Sequence, residues 1–61
     1  MTPEEDKAKE LIFIMYETGI DEYDAIECAI ILAQEMIYET KKKFWYDVKR
    51  ILENYYEVKR S

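Results

Sequence analysis

Apolar residues recur along the chain at intervals of three and four positions, and no stretch alternates with a period of two for long enough to form a strand. Signals that start and end helices divide the first third of the chain. Thr2 and Pro3 precede an acidic first turn, and Gly19 can end a helix in the left-handed conformation. The pattern therefore predicts an all-α fold with a first helix at about 3–17.

Two interpretations are open for the rest of the chain, which contains neither Gly nor Pro after Gly19. Bulky apolar residues repeat every seven positions from Tyr23 to Val58, as expected for one long helix that buries its stripe against a second chain. Residues 39–43 nevertheless contain no apolar side chain, and Thr40 could cap a new helix there.

We favour a break at about 39–42, which predicts a second helix at about 21–38, N-capped by Asp21, and a third helix at about 41–59. The predicted architecture is a small three-helix bundle that forms a single helical domain over residues 1–61. The alternative is a short helix followed by one long helix, which would dimerise to cover its apolar stripe.

Projection onto helical wheels, at about 100° per residue, assigns a core face to each helix. On helix 1 the face comprises Ala8, Leu11, Ile12, Ile14, Met15 and Tyr16. The face of helix 2 is wider, which predicts a central helix that touches both neighbours; it comprises Tyr23, Ala25, Ile26, Ala29, Ile30, Leu32, Ala33, Met36 and Ile37. On helix 3 the face comprises Phe44, Trp45, Val48, Ile51, Leu52, Tyr55 and Val58.

Four large apolar side chains lie outside these faces and are the candidates for a partner-binding surface: Phe13, Ile31, Tyr38 and Tyr46. Isolated exposed apolar residues are ordinary on soluble proteins, so one interpretation gives these four no role. The other interpretation assigns them to a contact surface, because aromatic residues dominate binding hot spots and several recur in so short a chain.

Composition narrows the functional classes, because the 61 residues include one Cys, one Gly and no His. The single Cys28 excludes a disulfide framework, and the lack of His removes the usual zinc sites and the base of a nucleophilic pair. One glycine cannot build a Gly-rich phosphate loop. We therefore expect no catalytic residue, no metal and no cofactor, and hence a protein that is not an enzyme.

Location follows from the same composition. No apolar run approaches the roughly 18 residues that span a bilayer, and no signal-peptide pattern opens the sequence. A single thiol also suits a reducing compartment. We expect a cytoplasmic protein without a membrane partner.

Charge is distributed unevenly around a net value of −5. Residues 1–24 carry eight acidic and two basic residues, whereas residues 40–61 carry seven basic and three acidic residues. Lysines at 41–43 precede Phe44, Trp45 and Tyr46, the nearest approach to a motif that holds a nucleic-acid backbone and stacks its bases. The overall negative charge argues against nucleic acid as the main partner.

Three sequence clusters stand in order along the chain: KAKEL at 7–11, AIECAI at 25–30 and FWYDVKRI at 44–51. Their order and spacing resemble those of short, uncharacterised helical proteins encoded by bacteriophages and prophages of Bacteroidota. The resemblance covers about residues 8–55 and implies a phage or mobile-element origin, and with it the cytoplasm of a bacterial host. It assigns no functional residue.

The leading functional expectation is a small non-enzymatic protein–protein interaction module, such as a phage accessory factor that modulates a host or defence protein. It rests on the four apolar residues outside the core faces, the lack of a catalytic set and the resemblance. The alternative, which belongs to a different functional class, is a structural subunit of a homo-oligomer. Nucleic-acid binding through the basic tail, and mimicry of nucleic acid by the acidic front, rank below these two.

Overall fold

The structure, a computed structural model, describes residues 2–60 except for the side chain of Arg60. It contains three helices, α1 (Pro3–Tyr16), α2 (Glu22–Thr40) and α3 (Lys43–Arg60), and no strand within these residues. Each helix contacts both of the others. The predicted all-α three-helix bundle is confirmed, and the alternative with one long helix after the first is wrong.

The start of α1 shows how local sequence forms a helix end. Thr2 is the N-cap, and the backbone N–H of Glu5 donates a hydrogen bond to its Oγ1 at 3.2 Å. The Glu5 carboxylate in turn accepts from the backbone N–H of Thr2 at 3.4 Å, which completes a capping box. Pro3 occupies the first turn, where its missing N–H has no cost.

The turn after α1 contains Gly19 at φ +93°, as the sequence predicts. Glycine adopts this φ without strain because glycine has no Cβ. Asp21 is the N-cap of α2, also as predicted, although its side chain makes no capping hydrogen bond.

The break between α2 and α3 falls inside the predicted stretch, and Lys41 ends α2 with φ 55° and ψ 30°. Its N–H donates to the carbonyl of Ile37 at 2.8 Å. The sequence suggested Thr40 as a cap for α3, and this prediction is wrong. Thr40 is instead the last residue of α2, and its Oγ1 donates to the carbonyl of Met36 at 2.8 Å.

The core is centred on α2, which contributes Ala25, Ile26, Ala29, Ala33 and Ile37. Ala8 on α1 and Val48 and Leu52 on α3 complete the fully buried set within the described residues. Because alanine side chains are short, α1 and α3 can both approach the α2 backbone closely. Half-buried residues pack around this cluster: Leu11, Ile12, Ile30, Phe44, Trp45, Ile51 and Tyr55.

Three residues assigned to core faces are exposed, so those assignments are wrong. Ile14 and Tyr16 are 45% and 54% exposed, and Val58 is 74% exposed. Ile14 and Tyr16 mark the two edges of the apolar arc of α1, beyond the reach of its neighbours. Tyr16 and Val58 also lie at the end of the bundle where α1 and α3 stop, and the described residues leave both of them largely exposed.

Candidate interaction surfaces

The four candidate residues from the sequence are all exposed, with exposed fractions of 64% for Phe13, 61% for Ile31, 74% for Tyr38 and 55% for Tyr46. They do not form one patch. Phe13 and Ile31 line two different grooves, and Tyr38 and Tyr46 line neither. The last two lie near the junction of α2 and α3, at the opposite end of the bundle from Phe13. That any of them binds a partner remains a prediction.

The larger groove lies between the C-terminal halves of α1 and α3, over the first turns of α2. We call it the α1–α3 groove, and it is lined by Lys9, Ile12, Phe13, Tyr16, Glu22, Ile26, Tyr55, Val58 and Lys59. Ile26 is buried at its base, and Ile12 and Tyr55 are half-buried there. The most exposed apolar side chains in it are Phe13, Tyr16 and Val58. The groove therefore has an apolar base, and its edges combine these apolar side chains with the charged Lys9, Glu22 and Lys59.

Of these three, the sequence predicts Phe13 as a contact residue but assigns Tyr16 and Val58 to the core. Both lie on the apolar arc of their helices, so periodicity alone places them in the core. The signal that could have identified them is their position next to helix ends. Tyr16 is the last residue of α1, and Val58 lies in the last turn of α3.

An ion pair closes the groove at the end of the bundle. Lys59 Nζ donates to Glu22 Oε2 at 2.8 Å, which joins the last turn of α3 to the first turn of α2. This hydrogen bond raises the pKa of Lys59 above its usual 10.5, and the negative charge of Glu22 is the next largest cause of the increase. Both side chains are nearly half exposed, so the pair orients the helix ends more than it stabilises the fold.

The second groove lies between α2 and α3 on the side away from α1. We call it the α2–α3 groove, and it is lined by Glu27, Ile30, Ile31, Glu53, Tyr56 and Glu57. Nearby, the rings of Tyr23 and Tyr56 have centroids 4.6 Å apart at an interplanar angle of 58°, which fixes the relative level of the two helices. This groove combines apolar residues with three carboxylates, unlike the α1–α3 groove.

The lysine and aromatic run after residue 40 does not present three rings to solvent. Phe44 and Trp45 pack against the core, with ring centroids 5.3 Å apart in an edge-to-face arrangement. Tyr46 is the exposed member of the three. Base stacking by consecutive aromatic residues would therefore require part of the core to open.

The described residues form neither a metal site nor a membrane span. Within residues 2–60 no cluster of three His, Cys, Asp or Glu side chains is placed to hold a metal ion. Cys28 is a half-buried free thiol. None of the helices in the described residues combines the length and apolarity needed to cross a membrane.

No protein-family model, curated protein or solved structure matches the chain.

Proposed function

We propose that this protein is a small non-enzymatic interaction module that binds an amphipathic helix of another protein in the α1–α3 groove. The observation that carries the proposal is the exposure of Phe13, Tyr16 and Val58 around one apolar groove. Exposed apolar groups that converge on a groove are typical of protein interfaces, whereas scattered ones are ordinary.

A helix is the expected occupant because the groove lies between two helices. A further helix laid between α1 and α3 would extend the bundle to four helices, a packing that buries apolar residues spaced three and four apart. The part of α1 that lines the groove runs from Lys9 to Tyr16, which is two helical turns or about 10 Å. The groove therefore accommodates two to three turns of a partner helix. Its anchors would be apolar residues at positions i, i+3 or i+4, and i+7.

The binding free energy expected from contact with Phe13 follows from the exposed fraction of this residue. An aromatic side chain buries roughly 200 Å² when fully covered. With 64% of the residue exposed, a partner removes about 130 Å² from water, which is worth about 3 kcal/mol at roughly 25 cal/mol per Å². Loss of this contact should weaken binding about 100-fold.

The nature of the partner protein rests on the sequence resemblance. If the chain shares the phage origin that the resemblance implies, a host or defence protein in the bacterial cytoplasm is the expected partner. Of the four residues predicted from sequence, Phe13 belongs to this surface. Ile31, Tyr38 and Tyr46 lie elsewhere and are not needed for it.

The test is affinity capture from a bacterial lysate with three immobilised proteins: wild type, Phe13→Ser and Tyr46→Ser. Tyr46 is the matched control, because it is an exposed aromatic outside the groove. We expect a protein that wild type and Tyr46→Ser retain and Phe13→Ser loses, and a synthetic helix from that protein should compete for binding.

Circular dichroism verifies that both variants are folded. The proposal fails if Phe13→Ser captures the same protein with unchanged affinity, or if Phe13→Ser and Tyr46→Ser lose it equally. It also fails if the competing segment of the captured protein is not helical when bound.

A further inference from the structure

The junction between α2 and α3 contains a strained backbone. It consists of Lys41 and Lys42, which lie between the end of α2 at Thr40 and the start of α3 at Lys43. Among residues 2–60, Lys41 is the one residue other than glycine with a positive φ, at 55°. A Cβ disfavours this conformation because it lies too close to the following carbonyl oxygen. A rearrangement that returns Lys41 to right-handed helical geometry therefore relieves strain.

The local sequence would allow α2 to continue through this junction into α3. Neither Gly nor Pro occurs after Gly19, and residues 39–43 are polar, so they can stay exposed on a continuous helix. Such a helix would also place Glu39 and Lys43 in the favourable i, i+4 order of opposite charges. The chain reversal at Lys41 therefore depends on the packing of α3 against α2 and not on a helix-breaking residue.

The buried residues keep their helical register across the junction. Ile26 and Ile37 on α2 and Val48 on α3 are buried, and they follow one another at intervals of eleven residues. Eleven residues make about three turns of helix, so these side chains would project from the same side of a continuous helix. The core faces of α2 and α3 would therefore stay aligned if the junction became helical.

We infer that this chain forms a domain-swapped dimer in which α2 and α3 of each copy join into one continuous helix. The α3 part of each long helix packs into the bundle of the other copy. Short hinges under strain favour this kind of exchange. Each bundle then contains α1 and α2 of one copy and α3 of the other, so the packing of the monomer recurs in both. The monomer keeps its break at Lys41, and only the exchanged form contains the continuous helix.

The level of α2 against α3 fits a two-fold axis at the junction. The Tyr23–Tyr56 ring contact and the Glu22–Lys59 ion pair show which residues of the two helices lie side by side. The midpoints of both pairs fall between residues 39 and 41. Two antiparallel continuous helices that keep these pairings therefore have their two-fold axis beside Thr40, and neither pairing has to shift when its second member comes from the other copy.

The exchange also changes which chain completes the α1–α3 groove. Phe13 and Tyr16 would come from one copy, and Val58 and Lys59 would come from the other. The dimer would carry two such grooves, which allows a partner with two binding segments to bind more tightly than it binds the monomer. The exchange itself depends on the junction and the core, so it does not rest on the proposed function.

The test is sedimentation equilibrium, over a range of protein concentrations, of chains refolded from urea at high protein concentration. Lys41→Ala and Lys41→Gly remove the same charge, but Gly is unstrained in the left-handed conformation and less favourable in a helix. We expect wild type to dimerise. The dissociation constant of the dimer should be at least about tenfold larger for Lys41→Gly than for Lys41→Ala, since two junctions open in each dimer.

Lys43→Pro is the variant that blocks the exchange. Lys43 is the first residue of α3, a position that accepts Pro because its N–H has no partner within the helix. The same Pro would interrupt a continuous helix. We therefore expect Lys43→Pro to be a folded monomer, with the helical content of wild type by circular dichroism.

A carbodiimide cross-link identifies the exchange directly. The reagent joins the Glu22 carboxylate to Lys59 Nζ, whose Oε2 and Nζ atoms lie 2.8 Å apart. Dimers are refolded from a mixture of isotopically light and heavy chains, and the linked peptides are analysed by mass spectrometry. The exchange predicts Glu22–Lys59 links that combine a light and a heavy peptide, whereas a side-by-side dimer gives links within one chain.

Four results overturn the inference. The first is a wild-type chain that stays monomeric at every concentration, and the second is a dimer that Lys43→Pro leaves intact. The third is a dimer whose Glu22–Lys59 links never combine the two labels. The fourth is an equal dissociation constant for Lys41→Gly and Lys41→Ala, because strain at Lys41 would then not favour the exchange. If Lys43→Pro does not fold, the labels in the cross-linked peptides decide.

Discussion

Lys41 is a sensitive position for testing how this chain ends one helix and begins the next. It adopts φ 55° and ψ 30°, in the left-handed region that glycine occupies without strain. Replacement by Gly should therefore stabilise the protein relative to replacement by Ala. Both variants remove the same positive charge, so their difference isolates the presence of a Cβ.

The magnitude follows from two opposing terms. A residue with a Cβ loses about 1–2 kcal/mol in the left-handed region, and Gly avoids this cost. Gly also gives the unfolded chain more freedom, which lowers stability by about 0.4–1 kcal/mol. The expected net advantage of Lys41→Gly over Lys41→Ala is about 0.5–1 kcal/mol. For a domain of this size that corresponds to about 3–6 °C in the midpoint of thermal unfolding.

The assay is urea and thermal unfolding of both variants, followed by far-ultraviolet circular dichroism at one protein concentration. Equal urea m-values would show that both lose the same structure. If 21–60 were one continuous helix, Lys41 would have right-handed helical geometry, and Gly would be less stable than Ala by about 0.5–1 kcal/mol. A Gly variant less stable than the Ala variant would refute the break at Lys41.

Two further predictions concern the core and the ion pair. Leu52 is fully buried, so Leu52→Ala should cost about 3–5 kcal/mol, close to the whole stability of a domain this small, and leave the chain largely unfolded at 25 °C by circular dichroism. Ile31→Ala is its exposed control, and a cooperative Leu52→Ala transition within about 1 kcal/mol of wild type would contradict the assigned core. The Glu22–Lys59 pair raises the pKa of Lys59, so its contribution is fully present below the unfolded value of 10.5 and is lost as the pH rises through the higher folded value. Urea unfolding should show a small stability advantage of wild type over Glu22→Gln that is constant at neutral pH and disappears in strong alkali; an advantage that persists there would argue against the pair.

Much of the fold is local enough to be predicted from sequence. Thr2, Pro3 and Glu5 lie within one turn of one another, so the capping box depends on no distant residue. Gly19 marks its turn because few other residues adopt its φ. The wide apolar arc of α2 likewise predicts a helix with neighbours on two sides, and each helix boundary lies within two residues of its prediction.

The candidate surfaces were less predictable. The sequence showed which apolar side chains point away from the core, and Phe13, Ile31, Tyr38 and Tyr46 are all exposed. It could not show that these four lie in different places, because two residues on different helices become neighbours only when the helices pack. Their separation into two grooves and one helix junction is a property of the bundle.

The sequence by itself therefore determined the three helices, the starts of α1 and α2, and the centre of the face that each helix turns inward, since these depend on interactions within a few residues. The tertiary structure decided where the bundle stops, which left Tyr16 and Val58 exposed on arcs that periodicity assigned to the core. It also decided that Lys41 adopts a left-handed conformation that its own side chain does not favour. In each case the physical reason is the same: burial and chain reversal depend on how three helices pack around the alanines of α2, and that packing is not encoded in any single segment.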